Sequence, residues 1–262
     1  MAGHRTCAQS SRELFGSEPD LRPSIVLPYR VKRITRWVSG GSGITLEQLM
    51  TQHSAWPLFR LCASSSADDI EPIIRSDGHP GRRKQAEMLR VLLGEHKALR
   101  YCPLCVLHDR EKYREPYWHL THQLWGVSLC PVHKVELQTT DIDISKPLHR
   151  YVTASDANLA TTMAQPDGNQ ENQQHYLRLS KAITELLKTD VFKSNRDVVA
   201  YLEEALQGQM ADELLLEVYG VEFLQRFLTD GLWDAVQNAL RDRDLTPLSH
   251  VAYALLIAAI RR

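Results

Sequence analysis

Two pairs of metal-type ligands stand in the middle of the chain. Cys102 and Cys105 form a C-x2-C pair, Cys130 and His133 a C-x2-H pair, and 24 residues separate them. Zinc takes four soft or borderline ligands at tetrahedral corners, and a pair spaced by two residues supplies two of them from one turn. Two such knuckles complete the coordination with protein atoms alone. A closed site of this kind is structural, because it leaves no position for a substrate or an activated water. Each knuckle begins Cys-Pro, at Cys102-Pro103 and Cys130-Pro131. Proline has a restricted φ and no N–H, which favours a tight turn just after the first ligand. The spacing therefore predicts a structural Zn2+ held by Cys102, Cys105, Cys130 and His133.

His119 and His122 lie between the knuckles at i, i+3 spacing, which places both on one face of a helical turn. Three roles are open to them: ligands of a second metal, a replacement for His133, or hydrogen-bond partners of the ligands. The plainest reading is that they order the loop beside Tyr117, Trp118 and Trp125. Tyr113 and these three aromatics are expected to form the small core of the metal module, because such modules bury little else. Catalytic metal signatures are absent: there is no H-E-x-x-H, and neither His119 nor His122 is followed by the x-E of a nucleobase deaminase. No G-x-x-x-x-G-K-[ST] or G-x-S-x-G occurs either. The chain is read as a non-enzyme.

Around the module the pattern is helical. The expected fold class is mainly α with a small zinc-ribbon-like module: a helical part over 1–99, the Cys3His module over 100–150, a linker or surface loop over 151–174, and a helical domain over 175–262. Thr45 and Gln48 make a capping-box signature, and Pro57 is expected to stop or kink the helical pattern after it. Met88, Leu89, Leu92 and Leu93 share a helical face, as do Leu177, Ile183, Leu186 and Leu187. Asn195 is the expected cap of the next helix, and Gly208, Gly220 and Gly231 are expected helix stops. Of five cysteines only Cys7 and Cys62 lie outside the knuckles, which gives no disulfide framework and suits a reducing cytoplasm. The N-terminus lacks an apolar signal-peptide core, and the longest apolar run, Val251–Ile260, is too short to span a bilayer.

Charge is distributed unevenly. Arg75 to Arg114 carries ten Lys/Arg against five acids, whereas Tyr201 to the end carries ten acids against five bases. The basic stretch adjoins the metal module and suits nucleic acid; the acidic end suits a protein partner, although solvated helix faces would look the same. Candidate phosphate contacts are Arg82, Arg83, Lys84, Arg90, Lys97 and Arg110.

The string R-Y-C-P-L-C over Arg100–Cys105, followed by Y-W-H-L-T-H-Q-L-W-G-V-S-L-C-P-V-H over Tyr117–His133, resembles the signature of the TniQ/TnsD family of transposon target-site selection proteins. Glu13-Leu14-Phe15-Gly16 is similar to the family's early L-F-G element, and TLEQLMTQHSAWPLF over Thr45–Phe59 to its T-x-x-x-L-x-x-x-H-x-x-x-P-L element. LLLEVYGVEFLQRFL resembles the TnsD-type stretch that comes after the zinc region. Two features depart from the family: its opening aromatic-proline run is absent before Leu14, which implies a truncated helix-turn-helix, and Leu120 replaces a common Arg. The resemblance implies an adaptor that selects the insertion site in bacterial DNA transposition. Its implied partners are DNA or an RNA-guided CRISPR surveillance complex, an AAA+ ATPase that it recruits, and a second copy of itself. The alternative is a stand-alone zinc-containing transcription regulator, which would need an intact recognition helix.

Overall fold

The computed structural model describes residues 31–62, 64–76, 78, 81–94, 96–144, 152–157, 159, 170–188, 192–227 and 248–261, with Gln9, Arg12 and Val26. The L-F-G element at Glu13–Gly16 and Gly231 lie outside the described residues. The chain is mainly helical with one small sheet, as expected. Among the described residues, five helices precede the Cys/His segment from residue 31 on: α1 (Val31–Ser42), α2 (Leu46–Gln52), α3 (Trp56–Cys62), α4 (Ser64–Arg75) and α5 (Arg82–Leu93). Strand β1 (Ala98–Tyr101), α6 (Pro103–Tyr113), the single turn α7 (Leu120–Gln123) and β2 (Gln138–Asp143) make the Cys/His segment. Helices α8 (Gln170–Lys188), α9 (Asn195–Leu206), α10 (Ala211–Phe227) and α11 (His250–Ile260) follow among the described residues.

Local chemistry sets the helix ends. Thr45 caps α2 through a full capping box: its hydroxyl accepts from the Gln48 N–H, and Gln48 Oε1 accepts from the Thr45 N–H at 2.9 Å. Pro57 does not stop a helix. It sits in the first turn of α3, where the missing N–H has no intrahelical partner to lose. Nor does Asn195 cap α9. Ser194 does, in a capping box with Asp197, and Asn195 is already helical. Gly208 (φ 88°) comes just after the end of α9, but Gly220 (φ 71°) lies inside α10 and joins two helical stretches across a kink.

Helix α11 is apolar on every side and buried on every side: Val251 through Ile257 are all at most 2 % exposed. It is the centre of the bundle, against α8, α9, α10 and α3. The Tyr219 hydroxyl of α10 donates to the Leu255 carbonyl at 3.3 Å. One continuous core takes Met50, Trp56 and Phe59 from before the metal-type residues and Ile183, Phe223 and Leu255 from after them. Chain order thus does not divide the core, and the Cys/His segment is inserted between two contributors to it. Among the described residues no helix is long and apolar enough to cross a membrane.

Candidate metal centre

The first knuckle grows from β1, which pairs antiparallel with β2 in the register Arg100↔Thr139 and Tyr101↔Gln138. Cys102 is the N-cap of α6 and Pro103 its first residue, so the chain turns from extended to helical between the two cysteines. This carries Cys105 back beside Cys102. The second knuckle is a tight turn bracketed by the Leu129↔Glu136 bridge. Cys130 N–H donates to Val135 O at 2.8 Å, Lys134 N–H returns to Cys130 O at 2.8 Å, and Lys134 takes a left-handed φ of 60° to close it. The His133 N–H points at Cys130 Sγ at 3.4 Å.

The four side chains converge. His133 Nδ1 is 3.5 Å from Cys102 Sγ, 3.3 Å from Cys105 Sγ and 3.7 Å from Cys130 Sγ, and Cys105 and Cys130 sulfurs are 3.7 Å apart. With zinc–ligand lengths of about 2.3 Å to sulfur and about 2.0 Å to nitrogen, a tetrahedron places its corners about 3.5–3.8 Å apart. The observed separations match. The three cysteines are buried. Contacts with the Cys102 and Cys105 sulfurs push Cys130 well down, and contacts with the Cys102 and Cys130 sulfurs, with burial, push Cys105 well up. A divalent cation at the centre would let all three ionise. The donor set, burial and spacing fit a four-ligand metal ion.

His122 and His119 lie against this cluster. His122 is 2 % exposed, with Nε2 3.8 Å from Cys105 Sγ, and burial holds it below the ordinary imidazole range. His119 Nε2 meets Asp109 Oδ2 at 2.8 Å, and its ring stacks on Tyr117 at 4.2 Å and is tilted against His122 at 4.7 Å. The i, i+3 placement on a helical turn is as the spacing implies. Asp109, 2 % exposed on α6, is a partner that the sequence does not reveal; nothing in the spacing from Asp109 to His119 marks it.

The other motif residues pin the segment together. Arg100 is buried and donates to Leu124 O at 2.7 Å and Val127 O at 2.8 Å. Its backbone is held by Gln123, whose amide accepts the Arg100 N–H and donates to the Arg100 carbonyl. Burial lowers the Arg100 guanidinium to about 10. Of the four aromatics expected to form the core of this module, only Trp118 packs on its local cluster. Tyr113 and Tyr117 are 53 % and 51 % exposed, Trp118 is half-buried and donates to Val152 O at 2.9 Å, and Trp125 packs against the main core. Local filling comes instead from Tyr101, Val106, Ala154 and Leu159, because the segment shares the bundle's core and needs little of its own.

Trp125 and Gly126 make that junction. The Trp125 ring lies over Gly94 (φ 58°), where an added Cβ would come within 2.7 Å of it. Fully buried His250 on α11 bonds the Trp125 carbonyl through Nε2 at 3.0 Å, so that nitrogen carries the proton. Burial lowers His250 to about 4 from 6.5, with the Trp125 contact opposing. As pH falls below 6.5 the unfolded chain takes up this proton before the folded one does. Stability is therefore lost between pH 6.5 and 4 and changes no further below, by about 3 kcal/mol from this group. We expect His250→Gln to lose that part of the acid dependence in urea titrations, measured as the difference between its pH profile and the wild type's.

The six basic candidates fall on two helices and a strand edge. Arg83, Arg90, Lys97 and Arg110 are exposed and Lys84 is half-buried; Arg82 opens α5. Arg75 and Arg100, also counted in the basic excess, are occupied internally: Arg75 pairs with Glu71 at 2.7 Å and Glu47 at 2.8 Å, and Arg100 with carbonyls.

Against known proteins, the TniQ family model matches residues 5–137, just over half of the chain, and takes in the whole Cys3His cluster. The chain belongs to the TniQ family. Membership places it among transposition-associated target-site selection proteins, a family of adaptors rather than of enzymes. No curated protein matches the chain.

Proposed function

We propose that this TniQ protein is a target-site selection adaptor in bacterial DNA transposition, acting in the cytoplasm. It binds DNA or a CRISPR surveillance complex with its guide RNA, and recruits the AAA+ ATPase that brings the transposase. The observation that carries this reading is the family match over 5–137, with a closed Cys3His cluster inside it. The ion in the cluster is zinc, on the chemistry of three thiolates and one imidazole at tetrahedral spacing. Cys102, Cys105, Cys130 and His133 hold it, and its part is to fix two turns that bury too little to hold themselves. With all four positions filled by protein it activates no water.

The exposed Arg83, Arg90, Lys97 and Arg110 support a phosphate-binding face, with Arg82 and Lys84 near them in sequence. Such contacts position a protein on nucleic acid without reading sequence. Exposed Val132 and Tyr117, beside a groove of about 1200 Å³ between the Cys/His segment and α8 and α11, support a protein contact, with an ATPase, a CRISPR subunit or a second copy of the chain.

The test is affinity purification of the tagged protein from its host, with identification of every co-purifying protein and RNA. An AAA+ ATPase is expected. Guide RNA with CRISPR proteins would assign RNA-guided targeting, whereas an ATPase without RNA would assign direct DNA reading. Recovery of no transposition component would count against the adaptor and favour the stand-alone regulator. In the DNA-reading case, Arg82→Glu with Arg83→Glu should reduce the slope of log affinity against log salt by about 0.9 for each phosphate no longer neutralised.

A further inference from the structure

The four-ligand assignment leaves three titratable side chains packed against the cluster without a role: Asp109, His119 and His122. Two chemistries are open to them. They could ligate a second ion that shares Cys105, since Cys105, His119 and His122 donor atoms lie within 4.8 Å of one another. They could instead serve the first ion through hydrogen bonds. The geometry favours the second. Two ligands on one ion keep their donor atoms about 3.3 Å apart at ordinary metal–ligand lengths. His119 Nε2 and Asp109 Oδ2 are 2.8 Å apart, which is a direct charge-assisted hydrogen bond. Asp109 and His119 Nε2 therefore do not share an ion, and only His119 Nδ1 keeps a lone pair for a metal.

The tautomer of His122 is set by its surroundings. Its Nδ1 is buried with no hydrogen-bond partner, while its Nε2 faces Cys105 Sγ at 3.8 Å. A proton on Nδ1 would be a buried donor with nothing to bond, which is costly. A proton on Nε2 points at sulfur, and a metal-bound thiolate is a negatively charged acceptor. Three thiolates and a neutral imidazole on a divalent ion leave one net negative charge in a buried place, and a donor aimed at the sulfurs offsets part of it. The ring lies 4.7 Å from that of His119, which Asp109 anchors and which stacks on Tyr117.

We propose that His122 is the hydrogen-bond donor that stabilises the metal-bound Cys105 thiolate, oriented by the Asp109–His119 pair. His122 is a positioning residue here, not a ligand. The proposal rests on the zinc reading above. Its loss leaves the four ligands intact and costs about 10–100-fold in metal affinity, the usual effect of removing such a partner. Cys105, no longer sharing its lone pair with a proton donor, becomes the better nucleophile.

The experiment uses the full-length chain and titrates it with Co2+ as an optical probe for zinc. The wild type is compared with His122→Phe, which keeps a ring and removes the donor, and with His122→Gln, which keeps a donor. Far-ultraviolet circular dichroism confirms that each is folded. N-ethylmaleimide labelling of the zinc-loaded proteins, mapped by mass spectrometry, reports Cys105 separately. We expect one ion per chain in all three. In His122→Phe the thiolate-to-cobalt bands should shift, affinity should fall about 10–100-fold, and Cys105 should label faster. His122→Gln should recover part of each effect. His122→Phe with unchanged bands, affinity and labelling would overturn the inference and leave the zinc reading standing. Equal loss in both variants would overturn it in favour of simple packing. Two ions in the wild type and one in His122→Phe would overturn it in favour of direct ligation. A wild type that takes up no metal would overturn the zinc reading and this one together.

Discussion

Cys130→Ser is expected to empty the metal site. The wild-type chain should purify with one zinc ion, and the variant with none. Cys130 is buried, with its sulfur 3.7 Å from both Cys105 Sγ and His133 Nδ1. Serine would put a weaker, harder ligand in its place, where the spacing calls for a thiolate. The second knuckle has little else to hold it: a turn of two backbone hydrogen bonds at 2.8 Å and one isolated bridge. Structural zinc is worth about 10–16 kcal/mol to small zinc-finger peptides at neutral pH, so its loss should cost this segment its order. The check is metal content by mass spectrometry together with amide exchange, where protection should disappear over 98–144. Cys62→Ser is the control. Cys62 lies outside the cluster, and burial pushes its thiol up to about 12, so it carries no charge to give a metal. Full metal content in Cys130→Ser would mean that a different set of ligands holds the ion.

Gly126→Ala is expected to leave the metal in place and loosen the whole molecule. Gly126 has a φ of 87°, where a side chain is strained at a cost of about 1–2 kcal/mol. Its Cβ would lie 2.7 Å from Ile183 Cδ1 on α8 and 2.9 Å from Val251 Cγ2 on α11. Both neighbours are fully buried and cannot retreat into solvent. Overpacking of that kind costs about 1–3 kcal/mol more. The combined loss of roughly 2–5 kcal/mol should lower Tm by on the order of 10 °C in a chain of this size. Gly208→Ala separates the two causes. Its φ of 88° is as strained, but nothing lies within 4 Å of the added carbon, so only the backbone part should appear. A Gly126→Ala variant as stable as Gly208→Ala would show that the module does not press on the bundle there.

Much of the metal centre is legible in residue order alone. A knuckle is a local object: two ligands with two residues between them, the first a proline, must sit on one turn wherever that turn is placed. The capping box at Thr45 and Gln48 is local too, encoded by two residues three apart. Local pattern misleads where the deciding neighbour is distant or one position away. Ser194 rather than Asn195 caps α9 because a cap is chosen by which oxygen meets the N–H three residues on, and Asp197 reciprocates by accepting the Ser194 N–H.

The exposed Tyr113 and Tyr117 mark a different limit. Aromatics beside a small metal site belong in its core only if the module must build its own, and this module borrows the core of the bundle. Asp109, His119 and His122 meet only because α6 brings a buried carboxylate beside the turn of α7. Gly126 reads as a flexible residue in a motif until Ile183 and Val251 are placed against it.

From residue order come the ligand set, the knuckles, the helical periodicity and the family, because each depends on residues a few positions apart or on one continuous motif. Long-range packing alone decides that α11 is the centre of the bundle, that the Cys/His segment docks on it through Trp125 and Gly126, and that Asp109 meets His119 beside the Cys/His cluster. Those contacts join residues from ten to more than a hundred positions apart, and no periodicity within one segment encodes which distant face it will meet.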